Sequence, residues 1–168
     1  MPPSRLVVYV DANVVFEAIK TGCWRSLLAR FEIRTVKVIR AETRRGNPSK
    51  PDYVAVDAKE FDEKVVLSNV TDELRFKAAI GSTAWSALDE GEKDLLACVA
   101  AQLPAVLLLT TGDKAAVKSA CQLGLAASLV SLEDLATKCG LRPKVAGWFT
   151  KTWLSKVRTE FLLELGEG

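Results

Sequence analysis

Two apolar runs, each delivered onto an aspartate, constrain this chain more than any other feature. Residues 6–10 (LVVYV) lead straight into Asp11, and residues 105–110 (AVLLLT) lead through Thr111 and Gly112 into Asp113. An unbroken Val/Leu stretch of this length reads as a strand buried on both faces, the habit of a parallel sheet flanked by helices. In an open sheet of that kind, ligands collect just beyond the carboxyl ends of the strands. Two carboxylates placed there converge, and neighbouring carboxylates repel unless a cation or a shared proton intervenes. The pattern therefore predicts both an α/β fold and an acidic site.

The rest of the chain fits strands alternating with helices. Residues 33–39 (IRTVKVI) alternate as a second strand, 65–70 read as a short third, and 127–130 as a last one. Helices are expected at 13–20, 23–31, 90–102 and 114–123, and after the Thr71-Asp72 cap. A further helix is expected to start at Ala41 and stop at Gly46-Asn47-Pro48. The stretch RRGNPSKPDY has two prolines and a glycine and reads as a loop, a candidate flap beside the site. Ser131-Leu132-Glu133-Asp134 has the form of a capping box. Residues 143–165 suggest a basic, aromatic C-terminal helix that packs on its own core or, alternatively, offers a partner surface. The expected architecture is a three-layer α/β/α sandwich around a mainly parallel sheet, in one domain spanning residues 1–168.

Charge is segregated more than it is unbalanced. The formal net charge is only +2, yet residues 34–50 hold six bases against the single acid Glu42, and residues 142–158 hold five bases and no acid. Residues 57–94 carry ten acids against five bases. Such a distribution can draw a polyanion toward an acidic, metal-loaded centre, although either basic segment alone reads equally well as a solvated face. Cys23, Cys98, Cys121 and Cys139 lack metal-binding spacing, and there is no histidine, which excludes Cys/His zinc sites and His-dependent nucleophilic hydrolysis. The cysteines read as reduced thiols, with Cys98 and Cys121 in the core, and point to the cytoplasm. No secretory leader or membrane-length apolar run is visible, so no membrane partner is expected. No glycine-rich nucleotide-binding motif is present.

Four acids occupy suggestive places: Asp11, Glu42, Asp94 and Asp113. Each has a local alternative. Asp11 and Asp113 can cap the helices that follow them, and Glu42 can pair with Arg45. Asp89 and Glu92 have capping-box spacing and read as structural. Asp94 resists the capping explanation best, because it tops an apolar helical stripe through Cys98 and Ala101 and needs a compensating partner. A Mg²⁺ or Mn²⁺ ion, which prefers oxygen ligands, is one such partner. In carboxylate-plus-metal hydrolysis the ion lowers the pKa of a bound water and neutralises charge on a phosphate. Asn13 is a candidate cap or a partner for Asp11, and Thr111 a candidate to orient Asp113. Arg40, Arg44, Arg45, Lys50 and Lys114 are candidate phosphate contacts.

Taken together, VVYVDANVV, the downstream Glu42, GEKDLLACVAA and LLLTTGDKAAVKSACQLGL resemble the PIN-domain ribonucleases across residues 6–130. The resemblance implies Asp11, Glu42, Asp94 and Asp113 as metal-binding catalytic acids, Asn13 and Thr111 as accessory residues, and Mg²⁺- or Mn²⁺-dependent endoribonuclease activity. Many bacterial members are VapC-type toxins of toxin–antitoxin pairs and dimerise, which implies RNA as substrate, an antitoxin-type protein partner and a homodimer. The middle segment 46–88 and the C-terminal tail are longer than the pattern. Two alternatives compete. A haloacid-dehalogenase-like phosphatase would use Asp11 as nucleophile, but its second acids would fall at Asn13 and Val117. A catalytically inactive RNA- or protein-binding module would rely on the basic, aromatic tail.

Overall fold

The computed structural model describes residues 4–166. Four parallel strands form its sheet: β1 (Val7–Val10), β2 (Glu32–Val36), β3 (Val66–Ser68) and β4 (Leu108–Thr110), in the spatial order β3-β2-β1-β4. β1 lies between β2 and β4, with Val8 opposite Ile33 on one side and Val10 opposite Thr110 on the other. Sequence order reverses at β1, and this switch point is where an open parallel sheet leaves a crevice.

Helices cover both faces of the sheet. One face carries α1 (Ala12–Lys20), α2 (Trp24–Arg30) and α8 (Leu132–Lys138), packed on Val8, Val10 and Ile33. The other carries α6 (Glu90–Ala100), α7 (Lys114–Gln122) and α9 (Lys151–Gly166), packed on Tyr9, Val36 and Leu109. Successive strand residues point to opposite faces, so Val8-Tyr9-Val10 feeds two cores at once. Each fully buried aliphatic side chain among them contributes about 1.5–3 kcal/mol. The result is the three-layer α/β/α sandwich with an all-parallel sheet that the apolar runs predict. The fully buried Tyr9 ring keeps its hydroxyl satisfied, 3.1 Å from Ser68 Oγ and accepting from Gln102 Nε2 at 2.5 Å.

Several boundaries differ from the sequence expectation. The second strand stops at Val36, and Lys37–Glu42 forms α3, so Glu42 ends a helix rather than opening one. The stretch expected to extend the strand, residues 37–39, opens α3, and Ile39 is buried from the helix instead. α4 (Ala58–Lys64) is an extra helix, started by Asp57 accepting from the Glu60 N–H at 3.0 Å. Residues 127–130 make a single bridge, Leu109 to Leu129, beside a 3₁₀ turn at Ala126–Ser128. α5 (Asp72–Ile80) begins at the expected Thr71 cap. The C-terminal helix begins at Lys151, not 143; residues 141–146 form no regular element and Gly147–Phe149 is a 3₁₀ turn. Its Leu154 and Val157 are buried against the chain's own core, while Leu162, Leu163 and Leu165 are exposed. Cys98 and Cys121 lie in the core, and all four cysteines are free thiols. Among the described residues no helix is long and apolar enough to cross a membrane.

Candidate active site

The site is built at the switch point between β1 and β4. Asp11 follows directly on β1, 3% exposed, and its backbone N–H reaches Thr110 O at 3.4 Å. Its carboxylate does two jobs. Oδ1 accepts from the Ala12 N–H at 2.7 Å, which caps α1, and Oδ2 accepts from Thr111 Oγ1 at 3.2 Å. Thr111 Oγ1 also accepts from the Asp113 N–H at 3.2 Å, and Asp113 caps α7 through the Ala116 N–H at 2.8 Å. Thr111 thus ties the two strand-end aspartates together. A carboxylate offers about four lone-pair positions, so capping leaves both with acceptor capacity to spare.

Glu92 and Glu42 complete the cluster from neighbouring helices. Asp89 and Glu92 form the expected capping box: Asp89 Oδ1 accepts from the Glu92 N–H at 2.8 Å, and Glu92 Oε2 accepts from the Asp89 N–H at 3.0 Å. That box holds Glu92 buried in the field of Asp113, Asp11 and Asp89. Gly91 lets α6 approach α3 this closely. A Cβ there would stand 2.7 Å from Glu42 Oε1 and 3.0 Å from Ile39 Cγ1.

The proton affinities record the crowding. Burial raises the Asp11 carboxyl to about 6 against the pull of the Ala12 N–H, with Asp89 and Asp113 adding to the rise. Glu42 is raised to about 7, first by burial, then by Asp89 and Asp11, with Arg45 opposing. Glu92 is raised to about 8, first by burial, with the Asp89 N–H opposing and Asp113, Asp11 and Asp89 contributing. No described lysine or arginine forms an ion pair with Asp11, Glu42, Glu92 or Asp113.

Asp94 is elsewhere. It is buried as expected, but its compensating partner is Arg75 on α5: Nε bonds Oδ1, and Nη2 donates to Oδ2 at 3.1 Å. The same guanidinium reaches Asp72 Oδ1 at 2.6 Å. Positions 92 and 94 lie about 200° apart around a helix, so only one of them can face the strand ends. Glu92 takes that place, and the expectation that Asp94 joins the cluster is corrected.

The basic candidates divide in the same way. Arg40 chelates Asp62 of α4 through Nε (2.7 Å) and Nη2 (2.9 Å), and Arg44 bonds the same carboxylate. Lys114 turns toward α9, 3.9 Å from Glu160 Oε2 and 6.0 Å from the Phe161 ring centroid. Those three are engaged in holding helices together. Arg45 and Lys50 instead line a cleft of ≈ 700 Å³ whose lining includes Asn13 and none of the four acids Asp11, Glu42, Glu92 and Asp113. Asn13 stands exposed on α1 and makes no bond to Asp11. Val117 is fully buried, so neither second acid of the phosphatase arrangement has a counterpart.

The donor chemistry suits a hard divalent cation: all oxygen, partly desolvated, short of positive charge. As placed, no three Asp, Glu, His or Cys side chains among the described residues stand within ligating reach of one point. No protein-family model matches the chain, and no curated protein matches it in sequence.

Proposed function

We propose that this chain is a Mg²⁺- or Mn²⁺-dependent endoribonuclease of PIN-like design, in which Asp11, Glu42, Glu92 and Asp113 form the acidic cluster that draws the metal. One observation carries the reading: a buried aspartate at the switch point is crowded by three further acids while every ion pair in the neighbourhood is made without them. Left unpaired, such a group of charges destabilises its own fold, and a divalent ion is the partner that removes the penalty. When bound, that ion would activate a water and neutralise phosphate charge.

The chain's own residues supply the rest. Asp11 is fixed in one rotamer by Ala12 and Thr111, which preorganises the first ligand. The capping box does the same for Glu92. Arg45, next to Glu42, and Lys50 on the cleft wall are placed to receive phosphates arriving at the acids. Four free thiols support a reducing, cytoplasmic setting. An antitoxin-type partner and a homodimer belong to the same reading and rest on the sequence resemblance alone.

The test is cleavage of a fluorescent RNA by the purified protein in Mn²⁺ or Mg²⁺. Cleavage should disappear in chelator and in Asp11→Asn and Glu92→Gln. An Asp11→Asn protein as active as the parent would sink the proposal. Metal-independent RNA binding without any cleavage would favour the inactive binding module instead.

A further inference from the structure

The cleft beside the acids has a chemistry of its own. One wall is the Gly147–Phe149 turn, which carries Trp148, 54% exposed. The loop after α3 also lines it and carries Tyr53, 40% exposed. Lys20, Arg45 and Lys50 stand along it, with Asp52 and the buried Glu17 as opposing charges. Large aromatic rings left in water inside a cleft are a misplaced expense unless a flat ligand covers them.

The Trp148 wall is anchored to the acidic site. Gly112 separates Thr111 from Asp113, and a Cβ there would meet Phe149 Cε1 at 2.7 Å and Trp148 Cδ1 at 2.8 Å. Both rings therefore rest directly on the loop that carries two of the site residues. Phe149 is buried, and its centroid lies 6.0 Å from that of Trp148. The segment leading into the turn is held by the Ala146 N–H donating to Glu17 Oε2 at 3.1 Å. The Tyr53 wall is held differently. The hydrogen bonds of residues 46–53 stay within the segment: Lys50 N to Asn47 O, Tyr53 N to Lys50 O, and Ser49 N to Asn47 Oδ1. Its Tyr53 ring covers Gly46, where a Cβ would come within 3.1 Å of Cδ2. One exposed aromatic is thus anchored to the acidic loop and the other to a loop that bonds only within itself.

We propose that this cleft is a base-binding subsite of the nuclease, in which Trp148 stacks on an unpaired base next to the phosphate at the acids, Tyr53 covers the base from the loop after α3, and Arg45 and Lys50 hold the flanking phosphates. The proposal rests on the nuclease reading for its purpose. Its geometry and its test do not. Aromatic stacking is tolerant of base identity, so the subsite adds affinity for exposed bases rather than a sequence code. A protein partner is the competing occupant. Three cations face one exposed acid, Asp52, because Glu17 is buried and accepts from the Ala146 N–H, and with two exposed aromatic rings this favours a polyanion with planar groups.

The test uses the full chain in chelator, so that nothing is cleaved. Binding of a labelled six-nucleotide RNA is compared with an abasic oligonucleotide of equal phosphate number, by fluorescence anisotropy at fixed salt. The parent should prefer the base-bearing strand, and Trp148→Ala should weaken that strand about 5- to 100-fold while leaving the abasic one nearly unchanged. Trp148→Phe should retain most of the preference, and Tyr53→Ala should lose part of it. Quenching of tryptophan fluorescence by the RNA gives a second readout, and it should be lost in Trp148→Phe, which leaves the other three tryptophans in place. Equal affinity for both strands, or a Trp148→Ala protein that still discriminates, overturns the subsite. Base-dependent binding by a protein that never cleaves RNA in Mn²⁺ would instead overturn the nuclease reading and leave the subsite standing.

Discussion

Replacing Glu92 and Asp94 one at a time should move stability and activity in opposite directions. The two residues share a helix turn, are both buried, and differ in what faces them. Glu92 faces other acids. Its carboxyl is raised from 4.5 to about 8, so the folded state binds a proton more tightly than the unfolded chain does. Stability from this group is therefore full below about pH 4.5 and declines as pH rises toward 8. At pH 7, about 2.5 units above the ordinary value, the linkage is bounded by about 3 kcal/mol. Gln keeps an oxygen to accept the Asp89 N–H and removes the charge. Allowing for relaxation, Glu92→Gln should gain about 1–2 kcal/mol at pH 7 in chelator, a rise in Tm of about 2–8 °C. The gain should shrink to nothing near pH 4.5.

Asp94 faces a guanidinium. Asn at that position keeps one acceptor but loses the ion pair. Removing one partner of a buried pair costs about 3–5 kcal/mol, but Arg75 has 37% of its side chain exposed and can rehydrate. The expected loss is about 1–2 kcal/mol, a fall in Tm of similar size to the rise at position 92. Cleavage per folded molecule should survive in Asp94→Asn and vanish in Glu92→Gln. Thermal unfolding by circular dichroism, with an RNA cleavage assay on the same samples, reads both. An Asp94→Asn protein that unfolds normally but cannot cleave, beside a fully active Glu92→Gln, would refute the assignment of helix faces.

Three further outcomes follow from the same geometry. Gly91→Ala drives a Cβ toward Glu42 Oε1 and Ile39 Cγ1 and should cut cleavage about tenfold or more while costing about 1–3 kcal/mol of stability, which denaturant unfolding would separate. Thr111→Val removes the hydroxyl between Asp11 and Asp113 and should cost about 0.5–1.5 kcal/mol, with a larger proportional loss of cleavage rate. Mn²⁺ at about 100 times its dissociation constant should stabilise the parent by about 2.7 kcal/mol in a thermal shift assay and leave Asp11→Asn nearly unmoved.

The sheet was legible because parallel strands carry their burial in their own letters. LVVYV and the apolar residues before Thr110 need no distant information to be recognised, and their terminal aspartates come with them. The caps at Thr71, Asp89 and Ser131 were legible for the same reason: each donor and acceptor pair lies within three residues. The β2–α3 boundary was not. IRTVKVI alternates like a strand, but the alternation carries past Val36 into residues whose burial is set by α6 packing on α3, a contact between segments some fifty residues apart in the chain. α4 was missed because AKEFDEK places a single buried residue, Phe61, on its inner face, too little to show a helical period.

The site shows the same division, with a sharper consequence. A buried acid announces only that it has a partner, and the apolar stripe below Asp94 made that announcement without naming Arg75, nineteen residues earlier. The capping box made the opposite impression at Glu92, because a satisfied local role looked sufficient. The hydrogen bonds show why it is not. Glu92 spends one oxygen on the Asp89 N–H and stays in the field of Asp11 and Asp113, just as Asp11 caps α1 and still holds Thr111. Capping and ligation ask the same thing of a side chain, that it stand in one rotamer with a lone pair free, so a capping role does not exclude a second role as a ligand. Arg75 occupies both oxygens of Asp94, whereas Asp11, Glu42, Glu92 and Asp113 make no ion pair with a described lysine or arginine, and only Arg45 acts on Glu42 from farther off.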